Sequence, residues 1–494
     1  MAGPLTSVPH TNVKDQKAGL VDLKANQLTS RGLPSTSPLT NITITTRITT
    51  VQPLQKTTHH ETIDPTFMDS ACADCYFPVF FTYRLADKSE AVYSQLVEQI
   101  KLSLQKTLVS FFSFAGRWIP VRKGSSRRKL LCTDAGVPFI EAYVDKDLDS
   151  VVEASTKFQP VPELQGHGLL GMDPTQFKAE MAPDGLPPMF IQLTRFKCGG
   201  LVLAVTCNHM STDAKGFFSF MTAWSDRSRT NETEMKVDYN REKIAILSIT
   251  DLFPDRDITS STGVGSDQPA PKLGLWATKA YEVSASTIQS LKKEAKENKV
   301  GTAGYVSTGD CIVAQLWRSL AGIPSSLLGE REPTVTRTVE GRTRFYDPPV
   351  PDLCGNVVTS LLAPSIPKNE LLDMPVVSIA SRLRDTLQAT RREDWFSMER
   401  YGKMLKIFDK TKFAPMMITS WTNFRVYGID FGFGKPFFVS GGNTECSLGT
   451  FSVAQVLPPI PNSPSSAAMV QIWSSPQVLQ ALEGTPQFST LFRS

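Results

Sequence analysis

The sequence predicts an α/β protein of two domains, and three observations carry that expectation. At 494 residues the chain is too long for one ordinary core, so two domains of roughly 200 residues each are expected. Runs with strand-like alternation and runs with helical recurrence are interspersed in both halves. A polar stretch rich in Ser, Asp and Pro, from 226 to 272, separates those halves and reads as a crossover. The division is then an extension at 1–40, an N-terminal domain at 41–225, the crossover, and a C-terminal domain at 273–494.

Residues 1–40 carry many Ser, Thr, Pro and Lys with few large apolar groups, and read as a disordered extension. The opening MAGPLTSVPHTNVKDQ lacks the apolar core of a signal peptide, and Asp15 and Asp22 interrupt the acid-poor pattern of a transit peptide. Asn41–Val51 is a β-branched alternating run that stops before Pro53. Tyr76–Tyr83 is a second, aromatic strand. Ser89 is placed to cap a long helix whose Val92, Leu96, Ile100, Leu104 and Leu108 lie four apart. Leu130–Thr133 and Val137–Val144 read as paired strands around Asp134-Ala-Gly136. From Met189 to Lys197 apolar and polar residues partly alternate, Cys198-Gly199-Gly200 breaks the run, and Leu201–Cys207 is almost continuously apolar. This predicts a β-hairpin whose second strand is buried on both faces. It ends at Asn208-His209. Ser211, Thr212 and Asp213 are all good N-cap residues, and Phe217, Phe218, Met221 and Trp224 then recur at helical spacing.

In the second half Ser286–Asn298 is an amphipathic helix, with Ile288, Leu291 and Ala295 inward and Lys292, Lys293 and Lys296 outward. Ser307 starts another, carrying Ile312, Val313, Leu316 and Leu320. Asp373 is expected to cap a third, with Pro375 in its first turn and Ile379, Leu383 and Leu387 as its stripe. From Met416 onward the chain reads mainly as strands and turns. There is no short-period repeat.

Composition narrows the function. Hydrophobic content of 41% and charge content of 20% fit a globular protein. A net charge of +4 makes no case for nucleic acid, although a few Lys or Arg at one mouth suffice to hold phosphates. No apolar run approaches the roughly 20 residues that span a bilayer. Cytoplasmic residence is the expectation, with the 8 cysteines mostly reduced.

His-x-x-x-Asp occurs twice, at His60–Asp64 and His209–Asp213. His60 lies in a polar connector with no strand before it and reads as a solvated loop. His209 ends a buried strand and heads a helix, a common place for a ligand site. It is either a general base or a satisfied core histidine. Cys72-Ala-Asp-Cys75 is a lone pair without the further ligands zinc needs, and strand-like aromatics follow it where a redox motif would open a helix. No metal is expected. Asp430-Phe431-Gly432 comes without the catalytic and Gly-rich loops of a kinase. Gly432-Phe-Gly434-Lys435 lacks Walker spacing, and no Gly-x-Ser-x-Gly elbow supports a serine hydrolase.

Taken together, these stretches resemble the BAHD superfamily of acyl-CoA-dependent acyltransferases. His209-Met-Ser-Thr-Asp213 matches its His-x-x-x-Asp signature, and Asp430-Phe-Gly-Phe-Gly434 matches its Asp-Phe-Gly-Trp-Gly signature, with Phe433 where Trp is usual. Phe114-Ala-Gly-Arg117, Gly136–Ala142, Thr194–Gly200, Leu316-Trp-Arg318, Gly341–Arg344, Gly355-Asn-Val357 and Thr419-Ser-Trp421 agree. The resemblance runs from Asn41 to the C-terminus. It implies a chloramphenicol-acetyltransferase-like fold: two mixed β-sheets flanked by helices, with an active-site channel at the domain interface.

The resemblance also implies a mechanism. His209 is the general base, no covalent intermediate forms, and acyl-CoA is a co-substrate rather than a resident cofactor. Trp421 and Thr419 occupy positions that supply oxyanion donors. Asp213 holds the turn by pairing with an Arg, for which Arg342 is the candidate. Asp430, Gly432 and Gly434 are structural. Lys292 and Lys293 are candidates for the CoA phosphates, against the plain alternative of a solvated helix face. Lys403 or Lys406 is a candidate to steer an acidic acceptor. The context looks most like the plant hydroxycinnamoyl branch, with fungal trichothecene acetyltransferases also similar. A monomer of specialised metabolism that acylates a hydroxyl or an amine is the expectation. A condensation-type domain taking a carrier-protein thioester and a non-catalytic relative are the alternatives. Asp430–Gly434 speaks against the first, and intact His209, Asp213 and Trp421 speak against the second.

Overall fold

The alternating runs of the first half pair into one sheet. The computed structural model describes residues 44–57, 62–72, 75–121, 128–150, 152–153, 159–160, 184–244, 277–391, 393–396, 412–441 and 452–493. Within the first half these form β1 (Ile44–Val51), β2 (Tyr76–Arg84), β3 (Val137–Val144), β4 (Met189–Phe196) and β5 (Gly200–Asn208). β4 and β5 are the expected hairpin, with Leu201 opposite Arg195 and Cys207 opposite Met189. Its turn passes Gly199 at φ 83°, a left-handed angle that glycine adopts without steric cost. β5 also pairs with β2, and every one of its residues is buried, so the unbroken apolar run belongs to an interior strand.

One expected hairpin does not form. β3 pairs with β1 and β4, whereas Arg128–Leu131 joins Thr62–Ile63 and Arg117–Pro120 in a separate three-stranded sheet. Between the two, Asp134 stands at φ 54° and Gly136 at φ 88°. The Asp134 carboxylate accepts from the Thr57 amide and hydroxyl at 2.7 Å each. The turn residues thus redirect the chain into a different sheet.

Helix α1 (Phe67–Ala71) precedes β2, and α2 (Glu90–Ser110) follows it. Ser89 caps α2 as expected, and Leu96, Ile100, Leu104 and Leu108 are buried. α3 (Ala214–Thr230) follows β5 and shares one apolar core with α2 and the sheet. It continues past 225 to a left-handed Asn231 at φ 66°.

The second half builds a seven-stranded sheet from β6 (Ala277–Ser284), β7 (Glu332–Glu340), β8 (Val358–Leu362), β9 (Phe413–Ser420), β11 (Ser452–Leu457), β12 (Ser466–Ser474) and β13 (Phe492–Arg493). The order is β8-β7-β9-β11-β12-β6-β13, with β7, β9 and β11 parallel and the other pairs antiparallel. The strand between β9 and β11 in sequence, β10 (Phe438–Gly441), leaves this sheet. It pairs antiparallel with β2 at the edge of the first sheet, Phe438 opposite Thr82. Trp421, Val426, Ile429, Phe431 and Val439 accompany it into the N-terminal core. The two halves are therefore interlocked.

Helices α4 (Ala285–Glu297) and α5 (Thr308–Ala321) are capped by Ser284 and Ser307. The expected cap at Asp373 is corrected: Asp373 closes a short helix α6 (Lys368–Asp373), and Pro375 is the N-cap of α7 (Val376–Ala389). A residue before proline is pushed out of helical geometry, and Met374 is extended at ψ 136°. The chain therefore stops one helix and restarts the next. Ile379 and Leu383 of α7 are buried.

Residues 1–40, His60, Lys403 and Lys406 lie outside the described residues. Among those described, no helix is long and apolar enough to cross a membrane, and no cluster of His, Cys, Asp and Glu is built to hold a metal ion. Cys72 is a free thiol, as are Cys132, Cys198, Cys207, Cys311 and Cys354.

Candidate active site

The site begins where β5 stops. Asn208 accepts on its side chain from the Met210 amide at 2.9 Å and on its carbonyl from the Ser211 amide at 2.9 Å. Trp118 Nε1 then holds the Ser211 hydroxyl at 2.8 Å. His209 rides on this turn. Its amide donates to the Cys75 carbonyl at 2.8 Å, and its half-buried imidazole leans on the Phe77 ring at a centroid distance of 5.1 Å. Nδ1 is buried and has no hydrogen-bond partner among the described residues. Burial pushes the imidazole pKa below its ordinary value. Its own carbonyl, Asp213, Asn356 and Asp69 pull the other way, more weakly. His209 is thus a neutral imidazole at neutral pH, able to accept a proton.

Asp213 faces elsewhere. Its Oδ1 caps α3 through the Gly216 amide at 2.9 Å. Arg342 grips both carboxylate oxygens, at 2.8 and 3.1 Å, and the Val357 amide adds a bond to Oδ2 at 2.8 Å. Arg342 is 1% exposed and spends its other donors on the Leu353 and Gly355 carbonyls and on Glu340, each at 2.9 Å. Burial works to lower the Arg342 pKa, but Asp213 and Glu340 raise it further. Among the described residues no hydrogen bond joins Asp213 to His209. The pair locks the start of α3 to the segment after β7.

A second buried carboxylate, missed by the sequence reading, stands on the other flank. Asp69 of α1 is 0% exposed. It forms a capping box with Thr66 and an ion pair with Arg241. Its Oδ1 also accepts from the Asn356 amide at 2.8 Å and the Asn356 side chain at 3.0 Å. The same Asn356 Nδ2 donates to the His209 carbonyl at 2.8 Å, and the Cys72 thiol donates to Asn356 Oδ1 at 3.2 Å. Gly355 stands at φ 110°, and a Cβ there would come within 2.7 Å of the Arg241 guanidinium, so only glycine fits. The spacing Thr66-x-x-Asp69 was a readable capping box. Its partners, 172 and 287 residues away, were not.

Across the seam lie Thr419 and Trp421. The Thr338 hydroxyl donates to Thr419 Oγ1 at 3.1 Å. Trp421 is buried, with its ring edge-on to Phe218 at 5.1 Å, and its indole N–H is not hydrogen-bonded to any described residue. Ring contacts run from His209 through Phe77, Phe217 and Phe218 to Trp421 at centroid distances of 5.1 to 5.8 Å. This chain of rings joins the two sheets beside the histidine.

The remaining expected residues are not part of this cluster. Asp430 Oδ1 accepts from the Gly432 and Gly434 amides at 2.8 and 3.1 Å, folding its own loop. Phe431 packs on Trp224 at 4.8 Å and Phe433 on Tyr83 at 4.9 Å. Lys292 donates to the Thr308 hydroxyl at 2.7 Å, and exposed Lys293 pairs with Glu297 at 3.8 Å.

Two interlocked mixed sheets carry a histidine at their seam, and the comparisons supply the class. The family model described as Transferase family matches residues 40–471, and the chain belongs to this family, the BAHD acyltransferases, which transfer acyl groups from acyl-CoA to small molecules. It is 27% identical over 399 residues to agmatine hydroxycinnamoyltransferase 1 of Oryza sativa subsp. japonica, covering 75% of this chain and 82% of that one. It is 25% identical over 363 residues to shikimate O-hydroxycinnamoyltransferase of Nicotiana tabacum, covering 69% and 78%. The crystal structure of vinorine synthase superposes with a TM-score of 0.68 at 21% identity, covering 91% of this chain and 99% of that one. F. graminearum TRI101 complexed with coenzyme A and deoxynivalenol superposes at 0.61 with 16% identity, covering 87% and 99%. The fold is the two-domain, chloramphenicol-acetyltransferase-like one.

Proposed function

We propose that this protein transfers an acyl group from a CoA thioester to a hydroxyl or amine of a small acceptor, with His209 as the general base. The observation that carries this reading is the environment of the imidazole. It is kept neutral by burial, sits at the seam of the two sheets, and is not hydrogen-bonded to either neighbouring carboxylate. His209 takes the acceptor proton as the acceptor oxygen or nitrogen attacks the thioester carbonyl. The C–S bond then breaks, and the proton returns to the departing thiolate.

Cys72, the thiol beside the site, is not a rival nucleophile. Burial, with Asp69 and Asp213 added, pushes its pKa well up, so it stays protonated. The reading is direct transfer without an acyl-enzyme. The tetrahedral oxyanion needs donors in a water-poor site. The free Trp421 indole N–H suits that role. So does Thr419, whose own proton is left available because Thr338 donates to it. Asp213 and Arg342 hold the turn. Lys292 and Lys293 remain the candidates for the CoA phosphates, each engaged by an exposed contact among the described residues.

Agmatine is an amine and shikimate offers hydroxyls, so both kinds of acceptor belong in the test. The purified protein is incubated with acetyl-CoA and hydroxycinnamoyl-CoA against amines and alcohols, and free thiol is measured. Acceptor-dependent thiol release is expected. His209→Ala, still folded, should lose about 10²–10⁴-fold of it; near wild-type turnover in that variant would sink the assignment.

A further inference from the structure

The main chain of His209 is held at both of its polar groups, each by a different segment. Its N–H goes to the Cys75 carbonyl at 2.8 Å, shortly after α1. Its C=O receives Asn356 Nδ2 at 2.8 Å. Asp69 is linked to both, through the chain to the first and through hydrogen bonds to the second. It lies inside α1, and it takes the Asn356 amide and side chain at 2.8 and 3.0 Å. Asp213, by contrast, holds the helix that follows and makes no bond to residue 209. A carboxylate that is 0% exposed is costly to bury even when paired with Arg241, and ion pairs of this kind are best attested as devices that fix register.

We infer that Asp69 is a positioning residue: through Asn356 and the α1 segment it fixes the backbone that carries His209. Two carboxylates then frame the base, Asp213 setting where α3 starts and Asp69 setting where the histidine stands. Consecutive amides of one segment serve both, Asn356 N on Asp69 and Val357 N on Asp213. The inference rests on the acyl-transfer reading for its effect on rate, but not for its effect on the imidazole.

The charged and titratable groups around His209 are the Asp213 and Asp69 carboxylates, the Arg342 and Arg241 guanidiniums behind them, and the Cys72 thiol. Removing the negative charge of Asp69 leaves Arg241 uncompensated. The imidazolium is then disfavoured, so the base should titrate at lower pH.

The test uses the full chain carrying Asp69→Asn and, separately, Asn356→Ala, which cuts the link to His209 but keeps the Asp69–Arg241 pair. The expected result is a fall in kcat on the order of 10–100-fold with KM for acyl-CoA within about twofold. In Asp69→Asn the acid limb of kcat/KM and the NMR titration of the His209 imidazole, assigned by its loss in His209→Ala, should both move to lower pH. A purely structural role would lower the melting temperature and leave kcat of the folded variants unmoved. Wild-type kcat in both variants, with an unshifted titration, overturns the inference. If Asp69→Asn does not fold, wild-type kcat in Asn356→Ala overturns it alone. If the wild-type protein releases thiol from none of the acyl-CoAs, the acyl-transfer reading has failed. The NMR signal of the His209 imidazole in Asn356→Ala, which removes no charge, then decides the inference by itself: movement supports it and no movement overturns it.

Discussion

At the scale of the residue, the surroundings of His209 suit the base proposed for it. Burial disfavours its charged form, so the neutral imidazole persists below the ordinary value near 6.5. The acid limb of kcat/KM reports the free base and should therefore lie below pH 6.5, with activity lost as pH falls through it. A limb above 7 would contradict the assigned environment. Asp213 belongs to the scaffold, since Arg342, Gly216 and Val357 take up its oxygens. Asp213→Asn removes one of the two carboxylates that pair with the buried Arg342, a loss on the order of 3 kcal/mol. A melting temperature lowered by several degrees is expected, at least as prominent as any loss of turnover. A stable but inactive variant would make Asp213 a direct participant in catalysis.

At the scale of the element, the hairpin, the turn and α3 act as one unit. β5 is buried along its whole length, Asp213 caps the helix, and Phe217, Phe218, Met221 and Trp224 are all buried. These features were legible because each is local: an apolar run, a cap residue and a helical stripe. The failed expectations were local as well. Asp134-Ala-Gly136 looked like a hairpin turn, but its aspartate is taken by Thr57. Asp373 looked like a cap, but it closes the helix before Pro375. The Asp430–Gly434 loop shows why an element far from the chemistry is needed. Its Phe431 carbonyl is held by Ser228 at 2.9 Å and Gln99 at 3.2 Å, and its ring fills the core beside Trp224. Phe431→Ala should cost about 3–5 kcal/mol, whereas Phe433→Trp on the half-buried neighbour should cost less than about 1.5 kcal/mol. Denaturant midpoints check both, and equal losses would refute this division of roles.

At the scale of the molecule, the two halves do not stand apart. β10 completes the first sheet from the second half of the chain, and Arg342 and Asn356 reach across to Asp213, Asp69 and His209. A fragment ending at residue 276 would lack β10, the Phe431 plug and the only described partner charge of Asp213. It should fail to give a cooperative unfolding transition, while the full chain unfolds in one main step by calorimetry. Two well-separated transitions in the full chain would show that the halves are independent after all.

The sequence by itself determined the α/β class, the hairpin, the helix stripes and the two signatures around His209 and Asp430. Each is written in neighbours a few residues apart, where periodicity and capping act. Only the tertiary structure decided which carboxylates surround the histidine. Asp69 reaches Asn356 across 287 residues and Asp213 reaches Arg342 across 129. A charged pair is buried where two distant segments close over it, and nothing in either segment alone records that meeting.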